Sequence, residues 1–296
     1  MDFGRILTAM VTPFDQQGQI DFHKTERLIH HLLANGTDGL VVAGTTGESP
    51  TLTKEEKLSL LQFVVKTVNG RVPVIAGTGS NNTQASIELT RQAETIGVDG
   101  VMLVTPYYNK PSQEGIYQHF ATIANETTLP VILYNIPGRT GVNVQPETII
   151  RLSQIDNIVA VKEASSDLDN ITKICRETSD DFLLYSGDDN MTLPILSVGG
   201  YGVISVSSHI IGNEMKQMVQ AYVDGENQQV ASLHQQIHPI MKALFMAPSP
   251  TPVKAALAFS GMDVGSVRLP MIPLNQEETE RLKDELYFVH QNYDAG

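Results

Sequence analysis

Short β-branched runs alternate along the chain with longer amphipathic stretches. The runs ILTAMVTPF, GLVVAG, VPVIAGTG, GVMLVTPY, VILYNIP, IVAVKEA, FLLYSGD and GVISVSS recur at spacings of roughly 20 to 35 residues. They are continuously apolar rather than alternating, which predicts strands buried on both faces, as in a parallel sheet covered by helices. The gaps between them follow helix grammar. Thr53 and Glu56 in TKEE form a capping box, and Leu60, Leu61, Val64, Val65 and Val68 then share one face until Gly70. Asp21 is predicted to cap a helix carrying Phe22, Ile29, Leu32 and Leu33 that ends at Asn35-Gly36, and Ser112 and Asp167 read as two further N-caps.

Eight strands, each followed by a helix within about 225 residues, predict an α/β chain folded as a (β/α)8 TIM barrel. A doubly wound sheet could also use eight strands, but neither G-x-G-x-x-G nor G-x-x-x-x-G-K-[ST] occurs. After Gly225 the strand rhythm stops. Val230, Leu233, Ile237, Ile240, Met241 and Leu244 mark a helix. TPVKAALAF predicts a second helix with Thr251 as N-cap and Pro252 at its first position, and NQEE opens a last one through Leu282 and Leu286. The expected organisation is a catalytic barrel over residues 1–225 and a C-terminal helical domain over 226–296, joined by a fixed Pro-rich bend at APSPTP.

Charge narrows the choice of partner. The formal net charge is -13 and the chain has no basic cluster, which argues against nucleic acid and against an anionic membrane surface. An anionic substrate would need a local cation or a set of backbone amides to draw it in. A single cysteine, Cys175, excludes an intramolecular disulfide and a multi-cysteine metal site. The start of the chain reads as no signal sequence and no apolar run approaches about 18 residues, so the expectation is a cytoplasmic protein.

In a barrel, chemistry sits at the C-terminal ends of the strands. Lys162 stands there, inside IVAVKEA. Neighbours on a strand face opposite sides, so Lys162 and Glu163 cannot share one, and if Val161 faces the helices Lys162 faces the interior. An ammonium there costs several kcal/mol unless it is neutral or used, and a neutral amine forms a Schiff base with a ketone. The plainer alternative is a lysine that snorkels out of the strand end. Tyr134 ends the preceding strand, where a phenol can relay protons as a carbinolamine collapses, or can be a core tyrosine satisfied by backbone. GTTGES offers backbone amides and the Thr45 and Thr46 hydroxyls to a small carboxylate, or is a tight turn. Arg139 in PGRTG fits a bidentate clamp for a second carboxylate, or is a surface arginine. His234 and His238 lack the glutamate of H-E-x-x-H, and Asp188 and Asp189 lack further ligands, so no metal site is expected.

Taken in order and spacing, GTTGES, TPYYNKP, YNIPGRTG and VKEASSD resemble the class I pyruvate-dependent lyases related to N-acetylneuraminate lyase, and within that group the dihydrodipicolinate synthase family. The resemblance covers essentially the whole chain. It implies that Lys162 condenses with pyruvate to an imine and then an enamine, which attacks L-aspartate 4-semialdehyde in the committed step toward diaminopimelate and lysine, without metal or organic cofactor. It further implies a proton relay of Tyr134, Thr46 and Tyr108, with Tyr108 reaching in from a neighbouring subunit of a tetramer built from tight dimers. Thr45 and Thr46 match the threonines that hold the pyruvate carboxylate, and Arg139 the arginine that receives the semialdehyde carboxylate. Gly187 and Ile204 fall where the family uses backbone groups near the substrate.

Two alternatives follow from the same residues. A sugar-acid aldolase, such as N-acetylneuraminate lyase or 2-keto-3-deoxygluconate aldolase, would share Lys162 and Tyr134 but not need Arg139. A non-catalytic barrel would be expected to have lost one of that pair. The chain also departs from lysine-sensitive relatives. It carries Lys54 and Lys57 where they carry histidines, and Ala85 where they carry an acid, although Ser49, Asn81 and Tyr107 match. Two cations beside a cationic ligand are unfavourable, so feedback by lysine is expected to be weak or absent.

Overall fold

The computed structural model describes residues 2–293. Eight parallel strands close into a barrel in chain order: β1 (Ile6–Ala9), β2 (Gly39–Val42), β3 (Val74–Gly77), β4 (Gly100–Val104), β5 (Val131–Asn135), β6 (Ile158–Glu163), β7 (Leu183–Ser186) and β8 (Gly202–Ser205), with β8 pairing back onto β1. All eight apolar runs are therefore strands. Around them lie α1 (Phe22–Ala34), α2 (Lys54–Val68), α3 (Thr83–Ile96), α4 (Gln113–Ala124), the short α5 (Pro137–Thr140) with α6 (Pro146–Leu152), α7 (Leu168–Glu177), α8 (Thr192–Ser197) and α9 (Ser208–Val223).

The strands are apolar throughout because each serves two cores. Leu7, Val41, Ile75, Met102, Ile132 and Ile204 fill the barrel interior. Ile6, Leu40, Val74, Leu103, Val161 and Val203 face outward into the helical layer. One irregularity sets up the site. Val131 lies opposite Ile158, yet Ile132 lies opposite Ala160, so β6 carries one extra residue at Val159. Ile158 packs outward and Ala160 inward. Without the extra residue, strict alternation from Ile158 would turn Lys162 out toward the helices; with it, Lys162 follows Ala160 into the barrel. Past the shift, Lys162 lies opposite Tyr134 on one side and Tyr185 on the other.

The predicted N-caps at Asp21, Ser112 and Asp167 accept from backbone N–H groups three residues on, and Thr53 and Glu56 form the reciprocal capping box. After α9 the described elements are helices, α10 (Asn227–Ala243), α11 (Thr251–Phe259) and α12 (Gln276–Tyr293). Residues 294–296 of the expected C-terminal unit lie outside the described residues. Asn275 and Glu278 exchange hydrogen bonds at the start of α12. The expected cap of α11 is corrected by one residue. Pro250 is the N-cap and Thr251 already helical, its hydroxyl donating to the Ile272 carbonyl instead of turning back onto the helix. Ile237, Ile240, Leu257 and Leu282 belong to the same hydrophobic cluster as the outward side of the barrel.

Candidate active site

At the C-terminal ends of the strands a cavity of about 910 Å³ opens, with Thr45, Tyr108, Tyr134 and Arg139 on its wall. Its charged lining residues are Lys57, Lys110 and Arg139, with no acid among them. In a chain of net charge -13 this makes the cavity a local positive field, suited to small carboxylates.

Lys162 sits beside that wall, 5% exposed, its Nζ 4.3 Å from the centre of the Tyr134 ring. Burial pulls the amine down to about 8, with the Asp189 carboxylate opposing it and the Arg139 guanidinium adding to it. The lysine is not paired with Glu163. That carboxyl turns to the other side of β6, where the Asn135 amide and the Ser165 N–H donate to it, and burial raises its pKa. Gly187 closes the other side of Lys162. A Cβ at that position would stand 3.2 Å from Lys162 Cε and 2.7 Å from the Ala164 Cβ, so only glycine leaves the amine its room.

Tyr134 is held as a proton-bearing phenol. Burial pushes it up to about 12, against the Arg139 charge and a hydrogen bond from Thr45. The relay is expected to run through Thr46. The threonine whose hydroxyl holds the Tyr134 phenol down is Thr45, whereas Thr46, next in the turn, is buried and is not a wall residue. Tyr108 is 88% exposed with a left-handed φ of 72°, its N–H held by the Thr140 carbonyl at 3.3 Å. Its ring thus projects from a fixed backbone. Ile204 is buried in the interior cluster that also contains Tyr134. Thr45, Tyr108, Tyr134 and Arg139 stand on the cavity wall, with Lys162 beside Tyr134 and Gly187 beside Lys162, while Thr46 and Ile204 are buried and, like Lys162 and Gly187, are not wall residues.

Of three supporting residues, Asn135 and Glu48 carry no sequence signal strong enough to single them out, and Asp189 is marked in sequence only as half of the Asp188–Asp189 pair. Asp189, 1% exposed, accepts from the Val206 and Ser207 N–H groups and the Ser207 hydroxyl, which ties the end of β7 to that of β8. Asn135 bridges Glu163, Asn143 and the Val144 N–H, fixing the segment after Arg139. Glu48 anchors the GTTGES turn from within the protein. Among the described residues, no group of three or more His, Cys, Asp or Glu side chains is placed to hold a metal ion, and no helix is long and apolar enough to cross a membrane.

Known proteins share both the sequence and this geometry. The family model described as the dihydrodipicolinate synthetase family matches residues 2–288. The 4-hydroxy-tetrahydrodipicolinate synthase of Bacillus velezensis is 65% identical over 278 residues, 94% of this chain and 96% of that protein. A crystal structure of dihydrodipicolinate synthase from Bacillus anthracis superposes with a TM-score of 0.95 at 58% identity, covering 97% of this chain and 98% of that one. The synthase of Cyanidioschyzon merolae, solved with lysine bound, superposes with a TM-score of 0.96 at 47% identity, covering 97% and 98%. The chain therefore belongs to the dihydrodipicolinate synthetase family of (β/α)8-barrel lyases.

Proposed function

We propose that this lyase condenses pyruvate with L-aspartate 4-semialdehyde through an imine on Lys162, as the first committed step toward diaminopimelate and lysine. The observation that carries the proposal is a buried amine with a lowered pKa, 4.3 Å from the ring of a protonated phenol on the wall of a cavity lined by cations. The neutral Lys162 amine adds to the ketone carbon of pyruvate. The Tyr134 hydroxyl donates to the oxygen that leaves as water, and Thr45 replenishes that proton. Loss of a methyl proton gives the enamine, which attacks the aldehyde carbon; cyclisation by the semialdehyde's own amino group then releases the lysine.

Thr45 and Thr46, with the amides of their turn, receive the pyruvate carboxylate. Arg139, exposed at the rim, receives the carboxylate of the semialdehyde, a role that a sugar-acid aldolase would not require. Backbone groups of Gly187 and Ile204 border the imine. Tyr108, highly exposed in the single chain, completes the relay of a neighbouring copy, so the working unit is a homo-oligomer, a tetramer assembled from tight dimers, in the cytoplasm.

Lysine inhibits weakly or not at all. Lys57 lies on the cavity wall, Lys54 pairs with Glu88 at 3.8 Å, and position 85 is alanine. A millimolar lysine titration that halved the rate would contradict this. The substrate assignment is tested by a coupled assay offering pyruvate with aspartate semialdehyde or with a sugar aldehyde. Turnover of the semialdehyde is expected, and turnover of the sugar aldehyde alone would replace the assignment.

A further inference from the structure

The turn that carries Thr45 is held from the far end of the chain. Glu48, three residues on, has a left-handed φ of 56°. That conformation turns its carboxylate inward to meet Lys254 of α11 at 2.6 Å, with both side chains 3% exposed. The other carboxylate oxygen accepts the Arg268 N–H at 2.8 Å. Glu48 also closes the turn itself, its N–H donating to the Thr45 carbonyl at 3.0 Å. One residue therefore links the cavity threonine to a C-terminal helix.

The far side of the link is equally fixed. Lys254 donates to the Ser266 carbonyl at 2.9 Å and lies 4.2 Å from the centre of the Phe14 ring. The segment after α11 presses onto the loop after β1: a Cβ on Gly265, at φ +77°, would stand 2.0 Å from the Phe14 carbonyl oxygen. The Arg268 guanidinium then bonds the carbonyls of Gly18 and Thr51 and pairs with Glu56. A buried ion pair is a weak source of net stability, because removing two charges from water offsets their attraction. Breaking one half is another matter, since the stranded charge can reach water only by moving the backbone that bears it.

We propose that Lys254 and Glu48 are positioning residues for Thr45, by which a C-terminal helix sets the geometry that receives the substrate carboxylate. This rests on the imine reading of Lys162 given above.

The test is the pyruvate concentration that half-saturates borohydride trapping at Lys162, measured on the full chain beside its thermal melt. In Lys254→Met, which strands the Glu48 carboxylate, the half-saturating concentration rises about 10- to 100-fold, as expected for a binding group displaced by about 1 Å. Maximal trapping changes far less, because Lys162 and Tyr134 are untouched. The double variant Glu48→Gln/Lys254→Met removes the stranded charge and returns half-saturation to within about 3-fold of the parent. Should Lys254→Met not fold, Glu48→Asp keeps the charge but shortens its reach, and is expected to raise half-saturation by at least about 3-fold. A variant with a lowered melt and parental half-saturation, or a double variant as weak as the single, overturns the positioning role. A parent protein that pyruvate does not label overturns the imine reading and this proposal together.

Discussion

Replacing Tyr134 by Phe removes one hydroxyl and leaves the ring. The aromatic face that Lys162 Nζ approaches at 4.3 Å is kept, as is the packing of the interior cluster. What disappears is the hydrogen bond with Thr45 and the proton held on a phenol that burial keeps at about 12. The lost bond lowers stability by about 0.5–1.5 kcal/mol. The lost relay lowers the rate by about 10²- to 10⁴-fold, the usual range for positioned general acid–base groups. At about 1.36 kcal/mol per factor of ten this is roughly 2.7–5.4 kcal/mol of transition-state stabilisation. The chemical effect therefore exceeds the structural one severalfold. Steady-state kcat with both substrates reads the first, and a thermal melt the second. Borohydride trapping with pyruvate alone should still label Lys162, more slowly, because the amine remains. A Tyr134→Phe enzyme within about 3-fold of the parent in kcat, with an intact fold, would refute the relay.

Other expectations follow from the charges and contacts around Lys162. An amine near 8 is about one-tenth neutral at pH 7, against about 0.03% for an ordinary lysine, so the trapping rate should rise with pH through a midpoint near 8 and level off about one unit above it; a rate still climbing at pH 10 would contradict the lowered value. Arg139→Gln removes a cation that lowers this amine and should move the midpoint up, while Asp188→Asn removes an anion that raises it and should move the midpoint down; shifts of the same sign in both variants would show that the two charges are not felt at Lys162. Gly187→Ala forces a methyl group against the Ala164 Cβ and Lys162 Cε, and should lower stability by about 1–3 kcal/mol and slow trapping, both read from one preparation; unchanged trapping would mean that the amine has room to spare.

Much of the fold was legible in the sequence because its signals are local. The apolar runs and the caps at Asp21, Thr53, Ser112 and Asp167 each depend on a few adjacent residues, and each lies where the pattern put it. Lys162 was visible for a related reason, as a charge in a run too apolar to want one. What could not be read depends on backbone phase or on distant partners. The extra residue at Val159 decides which way Lys162 faces, and nothing in IVAVKE marks it. Which of Thr45 and Thr46 bonds Tyr134 depends on how the GTTGES turn is closed, not on composition. Lys254 carries the same signal as Lys162, a lone charge within TPVKAALAF, but its partner Glu48 comes from the opposite end of the chain. Thr251 was misplaced by one residue because its hydroxyl has a tertiary acceptor, the Ile272 carbonyl, that no local rule anticipates.

The most direct test of the account is the covalent one. The protein is incubated with pyruvate, reduced with borohydride, digested, and the modified peptide located by mass spectrometry. A single pyruvate-derived adduct on Lys162, absent from Lys162→Ala, is the predicted result. No adduct, under conditions that label a known imine-forming enzyme, would make Lys162 a structural lysine and remove the mechanism itself, not just the choice of aldehyde.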